Sequence, residues 1–145
     1  MIEIEVNPSL QVAWFSSVPF CDWPQDITQP SWMGPLSDVT DTYWHHFGSA
    51  TEGLVHQVTM DYFPGYQIGH KALQIVGSGH EKRHYSVIQR IYIPLATNKY
   101  SAILSANYRA IPELNKAYIT KPWENYKFSN HGPEPFVSIV WDVVK

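Results

Sequence analysis

The chain has 145 residues and a formal net charge of −3. This length fits one domain with a single sizeable core. Aromatic residues make up 14% of the chain, charged residues make up 16%, and there are 11 prolines. This composition favours a β-rich, loop-rich domain over a helical bundle. There is no basic run and no apolar stretch near the roughly 20 residues of a membrane span, which argues against nucleic acid and membranes as partners.

The N-terminal segment predicts a strand, because Ile2, Ile4 and Val6 alternate with Glu3 and Glu5. This acidic start is unlike a secretory signal, and one cysteine allows no internal disulfide. We therefore expect an intracellular protein.

The next part of the chain predicts a short strand, a loop and a helix. The strand covers residues 10–15, and the loop covers residues 16–35, where four prolines prevent regular structure. The helix begins at Ser37, a suitable N-cap, and ends at Gly48. Its apolar face carries Val39, Tyr43, Trp44 and Phe47.

From residue 54 onward the chain predicts strands about 10 to 15 residues apart, the spacing of a sandwich or jelly roll. They cover residues 54–60, 72–76, 87–95, 100–108, 117–120, 126–129 and 136–144.

A Gly-Ser-Gly turn at residues 77–79, together with the strand after it, forms the strongest candidate site. His80 and His84 follow the turn, and Arg90 lies in the otherwise uncharged strand at 87–95. Strand alternation puts Arg90 and Tyr92 on one face. Two interpretations stay open for Arg90. It is either a rim residue that pairs with an acidic side chain, or a guanidinium that holds a small carboxylate in the barrel mouth.

Two segments, Gly-Ser-Gly-His-Glu-Lys at 77–82 and Arg-Ile-Tyr-Ile-Pro-Leu-Ala-Thr-Asn at 90–98, resemble the aspartyl/asparaginyl β-hydroxylase-like proteins. These proteins belong to the Fe(II)/2-oxoglutarate-dependent dioxygenases. In that family a His-x-Asp motif precedes an Arg-x-His-Ile-Pro-Leu-x-Thr-Asn strand. A His-x-Val-x-Asn-x-Gly segment, an arginine and a strand ending in aspartate follow. In this chain residues 126–132 correspond to that segment, and Asp142 corresponds to the aspartate at the end of the last strand.

The resemblance covers residues 68 to 142 and implies a mainly β fold, a double-stranded β-helix (jelly-roll or cupin-like barrel) with one or two peripheral helices. We expect residues 1–145 to form a single domain. Its N-terminal strands, loop and helix would occupy residues 1–60, and its barrel core would occupy residues 68–142.

Several residues depart from the family motif. His80 matches the first iron ligand of the motif. Lys82 occupies the position of the motif's aspartate, and Tyr126 occupies the position of its second histidine. Phe136 replaces the arginine that often grips 2-oxoglutarate, whereas Arg90 matches the other basic residue of the pocket. The family chemistry therefore does not carry over residue by residue.

We predict a catalytically degenerate jelly-roll protein that acts as a binding or structural component, with no catalytic residue assigned. A small anionic ligand or a protein partner fits this role, and homo-oligomerisation stays open. The residues predicted to line the ligand pocket are Arg90, Tyr92, Lys82, Tyr126 and Asn130.

Two alternatives stay open, so the sequence leaves undecided whether the protein is an enzyme. The first is an active hydroxylase with a rebuilt site, in which His80, His84 and His131 hold Fe(II) and Arg90 anchors 2-oxoglutarate. The second is an assembly module, since jelly rolls also build capsid and lectin surfaces.

Overall fold

The computed structural model describes residues 1–6 and 49–145, so the predicted strand at 10–15, the loop at 16–35 and the helix from Ser37 lie outside the described residues. The described part contains one helix, α1 (Ser49–Tyr62), which is not long and apolar enough to cross a membrane. Its strands are β1 (Ile2–Glu5), β2 (Gln67–Val76), β3 (His80–Ser86), β4 (Gln89–Ala96), β5 (Ser101–Ser105), β6 (Tyr108–Ala110), β7 (Lys116–Ile119), β8 (Glu124–Asn130) and β9 (Phe136–Val144).

The strands form two antiparallel sheets. The five-stranded sheet has the order β1-β7-β4-β9-β2, and the four-stranded sheet has the order β3-β8-β5-β6. The chain alternates from one sheet to the other, and β2 pairs with β9 while β3 pairs with β8. This nested pairing of early strands with late strands is the jelly-roll, or double-stranded β-helix, arrangement. The predicted fold class is therefore confirmed.

The prediction of a strand at residues 54–60 is wrong, because these residues belong to α1. Leu54, Val55, Val58 and Thr59 are buried, and their spacing places them on one face of a helix. The apolar run is short and contains several β-branched residues. Periodicity alone does not separate such a run from a strand.

The strand β3 is absent from the sequence predictions, because its His-Glu-Lys-Arg-His-Tyr-Ser run has no apolar alternation. It forms by pairing along its whole length with β8, from His80 opposite Asn130 to Ser86 opposite Glu124. Gly79 precedes it with a φ of 78°, a left-handed conformation that favours glycine.

Most of the other strand predictions within the described residues hold, several of them with shifted ends. The strand at 136–144 is reproduced as β9, whereas the predicted strand at 100–108 is divided into β5 and β6 by a turn.

Two apolar clusters hold the layers together. The outer cluster joins α1 to the five-stranded sheet, where the Trp141 Nε1–H donates a 2.9 Å hydrogen bond to Thr59 Oγ1. The inner cluster fills the space between the two sheets. It consists of Val76, Tyr92, Ile103, Tyr118, Tyr126, Phe128, Phe136 and Val140.

Candidate functional site

Strand alternation directs several polar side chains into the space between the sheets. On β4, Tyr92 belongs to the inner cluster, whereas Ile91 and Ile93 belong to the outer one. Arg90 shares the inward face with Tyr92, as the sequence predicts, and Asp142 lies opposite Arg90 on β9. This end of the barrel therefore brings a guanidinium, a carboxylate and phenol groups together.

Arg90 is bound by groups of the protein itself. Its Nε donates to Asp142 Oδ1 at 2.9 Å, and its Nη1 lies 3.5 Å from the Tyr126 hydroxyl. Burial alone would lower the pKa of Arg90, but the hydrogen bonds with Tyr126 and Asp142 raise it above its ordinary value. The guanidinium therefore stays charged and already has a carboxylate partner.

Aromatic rings pack tightly beside this ion pair. The Tyr92 and Tyr126 hydroxyls are 2.8 Å apart, and the Tyr92 and Phe128 ring centroids are 4.5 Å apart. Phe128 also contacts Phe136 at 5.7 Å between centroids. Burial raises the pKa of both Tyr92 and Tyr126, so both stay protonated at neutral pH.

His84 is held inside this aromatic cluster. Its Nε2 lies 2.7 Å from Gln74 Oε1, and its ring stacks on Tyr126 at 5.1 Å between centroids. Burial first, and then the charges of Arg90 and Lys82, lower the pKa of His84 to about 4. The imidazole is therefore neutral at pH 7, and its proton on Nε2 is assigned from the Gln74 contact.

The two other predicted metal ligands lie toward the opposite end of β3. His80 is exposed, and its Nδ1 lies 3.0 Å from the Ser78 carbonyl oxygen. His131 is also exposed, and its backbone N–H donates to the Tyr100 carbonyl at 3.1 Å. In residues 1–6 and 49–145, no group of three or more His, Cys, Asp or Glu side chains is placed to hold a metal ion. The three-histidine site stays a prediction that these positions do not favour.

The strand register also bears on the proposed ligand positions. His84 faces Tyr126 across the β3–β8 ladder, whereas His80 faces Asn130. His80 is thus four rows from position 126, about 13 Å along the strand. His84, rather than His80, is the neighbour with which a histidine at 126 would share a metal. Lys82, opposite Phe128, lies between the two histidines on β3.

Asn130, predicted to contact a ligand, joins loops instead. Its Nδ2 donates to the Val76 and Glu134 carbonyl oxygens at 2.9 and 2.7 Å. Its Oδ1 accepts from the Gly132 N–H at 3.0 Å and from Asn98 Nδ2 at 3.2 Å. These bonds use the donor and acceptor groups of the amide, which indicates a structural role.

Two inward-facing polar residues are not found by the sequence reasoning. Gln74 and Ser138 are register partners on β2 and β9, and each is 1% exposed. Gln74 Nε2 and Ser138 Oγ have no hydrogen-bond partner among the described residues. Each is a polar residue inside an apolar strand, the same signal that identified Arg90.

Comparisons with known proteins find structural likeness without sequence likeness. No known protein family matches the sequence, and no curated protein does. The chain is similar to a cupin domain from Bordetella pertussis Tohama I, at 10% identity over 55% of this chain and 92% of that chain, with a TM-score of 0.45.

Two further structures show the same kind of likeness. A predicted oxalate decarboxylase from Thermotoga maritima matches 65% of this chain and 74% of its own, at 10% identity and a TM-score of 0.46. A protein with a double-stranded β-helix domain from Klebsiella pneumoniae matches 51% of this chain and 64% of its own, at 20% identity and a TM-score of 0.41. The fold assignment rests on the strand order, and the function is argued from this chain's own residues.

Proposed function

We propose that this protein is a catalytically degenerate jelly-roll protein of the 2-oxoglutarate dioxygenase type, which acts as a binding component rather than as an oxygenase. The filling of the barrel interior by aromatic side chains carries the proposal. Tyr126 and Phe136 stand where the resembling family has a metal ligand and a cosubstrate arginine, and they are 4% and 1% exposed. The residues that replace the active-site groups therefore also occupy the space between the sheets.

The side chains at this end of the barrel do not fit an iron site of this class. Such a site needs two histidines, usually with one carboxylate, on one face with open positions for cosubstrate and oxygen. His84 has the protonated phenol of Tyr126 as its cross-strand neighbour. The Asp142 carboxylate is paired with Arg90. Neither a second histidine nor an unpaired carboxylate lies beside His84 among the described residues that form this cluster.

Arg90 is likewise poorly suited to a 2-oxoglutarate carboxylate. The Asp142 carboxylate already accepts from its Nε at 2.9 Å and offsets the guanidinium charge, which weakens the attraction for a small anion. An anion that replaced Asp142 at Arg90 would leave this carboxylate, which is 9% exposed, buried without its partner, at a cost of several kcal/mol. We therefore infer that a small anionic ligand at Arg90 is disfavoured and that recognition takes place elsewhere on the molecule.

The direct test is turnover of 2-oxoglutarate. Purified protein is supplied with Fe(II), ascorbate, 2-oxoglutarate and air, and succinate is measured against a protein-free control. We expect no succinate above that control. Succinate that forms in proportion to enzyme, and disappears in His84→Ala, would overturn the proposal in favour of the active hydroxylase.

A gain-of-function variant tests the ancestry separately. Tyr126→His places a second histidine opposite His84, and two neighbouring imidazoles are a common start for a transition-metal site. Isothermal titration with Co(II) should detect binding by this variant, no binding by the natural chain, and none by Tyr126→His combined with His84→Ala. Equal Co(II) binding by the natural chain and Tyr126→His would contradict the assignment of position 126 as a lost ligand position.

A further inference from the structure

A cleft lies outside the barrel, between two turns at one end of the sheets. The turn between β7 and β8 and the turn between β5 and β6 form its walls, and its volume is about 470 Å³. This is within the usual size range of small-molecule sites. Its lining includes Asn107, Lys121, Trp123 and Asn125, so an indole, two amides and an ammonium group line the same cleft.

Trp123 occupies a backbone position that normally takes glycine. The Glu124 N–H donates to the Lys121 carbonyl oxygen at 3.2 Å, and Pro122 and Trp123 are the two central residues of this turn. Trp123 has a φ of 63°, the left-handed conformation required at the third position of a type II turn. A large aromatic residue is strained there, and such strain is concentrated at functional positions.

The strained turn presents its side chain to solvent rather than to the core. Trp123 is 61% exposed, and its ring centroid lies 5.6 Å from that of Tyr85, which is also 61% exposed. Burial in the core therefore does not explain why a tryptophan stands at this position. The arrangement offers an aromatic surface beside the cleft.

The polar residues around this surface are available for recognition. Asn107, Lys121 and Asn125 are exposed, and the described part of the chain contains no hydrogen bond from their side-chain nitrogen or oxygen atoms. The two amides each supply a donor and an acceptor, and Lys121 supplies donors only. A ligand that fits must combine a flat apolar face with hydroxyl groups at its edge.

We propose that this cleft binds a pyranose ring of a glycan, stacked on the indole of Trp123. The C–H groups of one pyranose face carry partial positive charge and pack against the negative face of an aromatic ring. The ring hydroxyls both donate and accept, as the neighbouring amides do. The net charge of −3 disfavours a nucleic-acid base as the stacked group. This inference rests on the binding role proposed above and supplies a ligand class for it.

Ligand-observed NMR tests the proposal with defined probes: the methyl glycosides of glucose, galactose, mannose and N-acetylglucosamine. We expect saturation transfer from the protein to at least one of them. Trp123→Gly should weaken that binding about tenfold, as expected for loss of one aromatic stacking contact. Glycine suits the positive φ, so the variant should unfold at an equal or higher denaturant concentration, and loss of binding cannot be assigned to misfolding.

Tyr100→Ala is the matched control, because Tyr100 is 53% exposed and does not line the cleft. It should leave glycan binding unchanged. No binding of any of the four probes, or binding that survives Trp123→Gly, would overturn the proposal. Binding of a proline-rich peptide in place of the glycosides would also overturn it. The succinate assay is independent of this result, so failure of the glycan site is distinguishable from failure of the degenerate-barrel proposal.

Discussion

At the scale of single residues, the polar groups of the barrel are arranged around Arg90. Its guanidinium contacts Asp142 and Tyr126, and its backbone N–H donates to Thr120 Oγ1 at 2.9 Å. The side chains of Arg90 and Asp142 are 27% and 12% exposed, so both charges are largely removed from water. The pair tolerates this position because each partner neutralises the other.

Removal of one member of this pair should destabilise the protein. Arg90→Met keeps much of the side-chain volume but leaves the Asp142 carboxylate unpaired, and we expect a loss of about 2–4 kcal/mol in the free energy of unfolding. Arg90→Met combined with Asp142→Leu should recover much of that loss, because no charge is then left buried. Urea unfolding of the two variants measures both effects. Equal losses in the two would contradict the pairing.

His84 should make stability depend on pH. Its pKa is about 4 in the folded protein and 6.5 when unperturbed, so the unfolded chain binds the proton more tightly. Its contribution is present in full above pH 6.5 and is lost as the pH falls toward 4, by up to about 3 kcal/mol.

Urea unfolding at pH 7 and pH 4.5 measures this dependence, and His84→Gln is the matched variant because it keeps an amide beside Gln74. We expect the natural chain to lose more stability than His84→Gln over this interval. Carboxylates that titrate near pH 4 are common to both proteins and cancel in the comparison. Parallel pH profiles would show that His84 is not buried as a neutral group.

At the scale of elements, the sequence predicts the strands with alternating apolar residues and fails where that signal is missing. The strand β9 is mostly apolar, interrupted by Ser138 and Asp142, and is predicted at its observed ends, whereas β3 has no apolar alternation and forms through its pairing with β8. The helix α1 is mistaken for a strand because its buried face is short and β-branched. Packing against the five-stranded sheet decides its conformation.

One hydrogen bond between elements is suited to a test of this helix position. Trp141 on β9 donates to Thr59 on α1, and Thr59 also donates to the Val55 carbonyl oxygen at 2.8 Å. Thr59→Val keeps the shape but leaves the buried indole N–H without an acceptor, which should cost about 1–3 kcal/mol. Thr59→Ser keeps the hydroxyl and should retain the bond. If urea unfolding gives Thr59→Val the stability of the natural chain, the helix is not docked through this bond.

At the scale of the whole molecule, the architecture could be predicted from the sequence. The contacts among the site residues could be predicted only in part. The spacing of strands and turns, together with the motif at 90–98, leads to the jelly roll. Alternation alone puts Arg90 and Tyr92 on one face of the strand, but it does not specify that this face points between the sheets. Its pairing with Asp142, which is 52 residues away in the chain, depends on the register between β4 and β9, and one sequence does not specify that register.

Gln74 and Ser138 show the same limit. Each can be noticed as a polar residue in an apolar strand, but their juxtaposition depends on the β2–β9 pairing. The separation of His80 from His84 along β3 likewise becomes evident only once the strand is known to be extended. The sequence identifies Arg90 and His84 as candidate site residues, and the tertiary fold determines which polar groups they meet.

Iron content is the most direct test of the proposal that aromatic side chains have replaced a metal site in this protein. Protein purified without chelators and incubated anaerobically with Fe(II), then desalted, is analysed for iron per chain, alongside His84→Ala and His80→Ala. We predict far less than one iron per chain in the natural protein and no difference among the three. One iron per chain in the natural protein, lost in either histidine variant, would contradict the account.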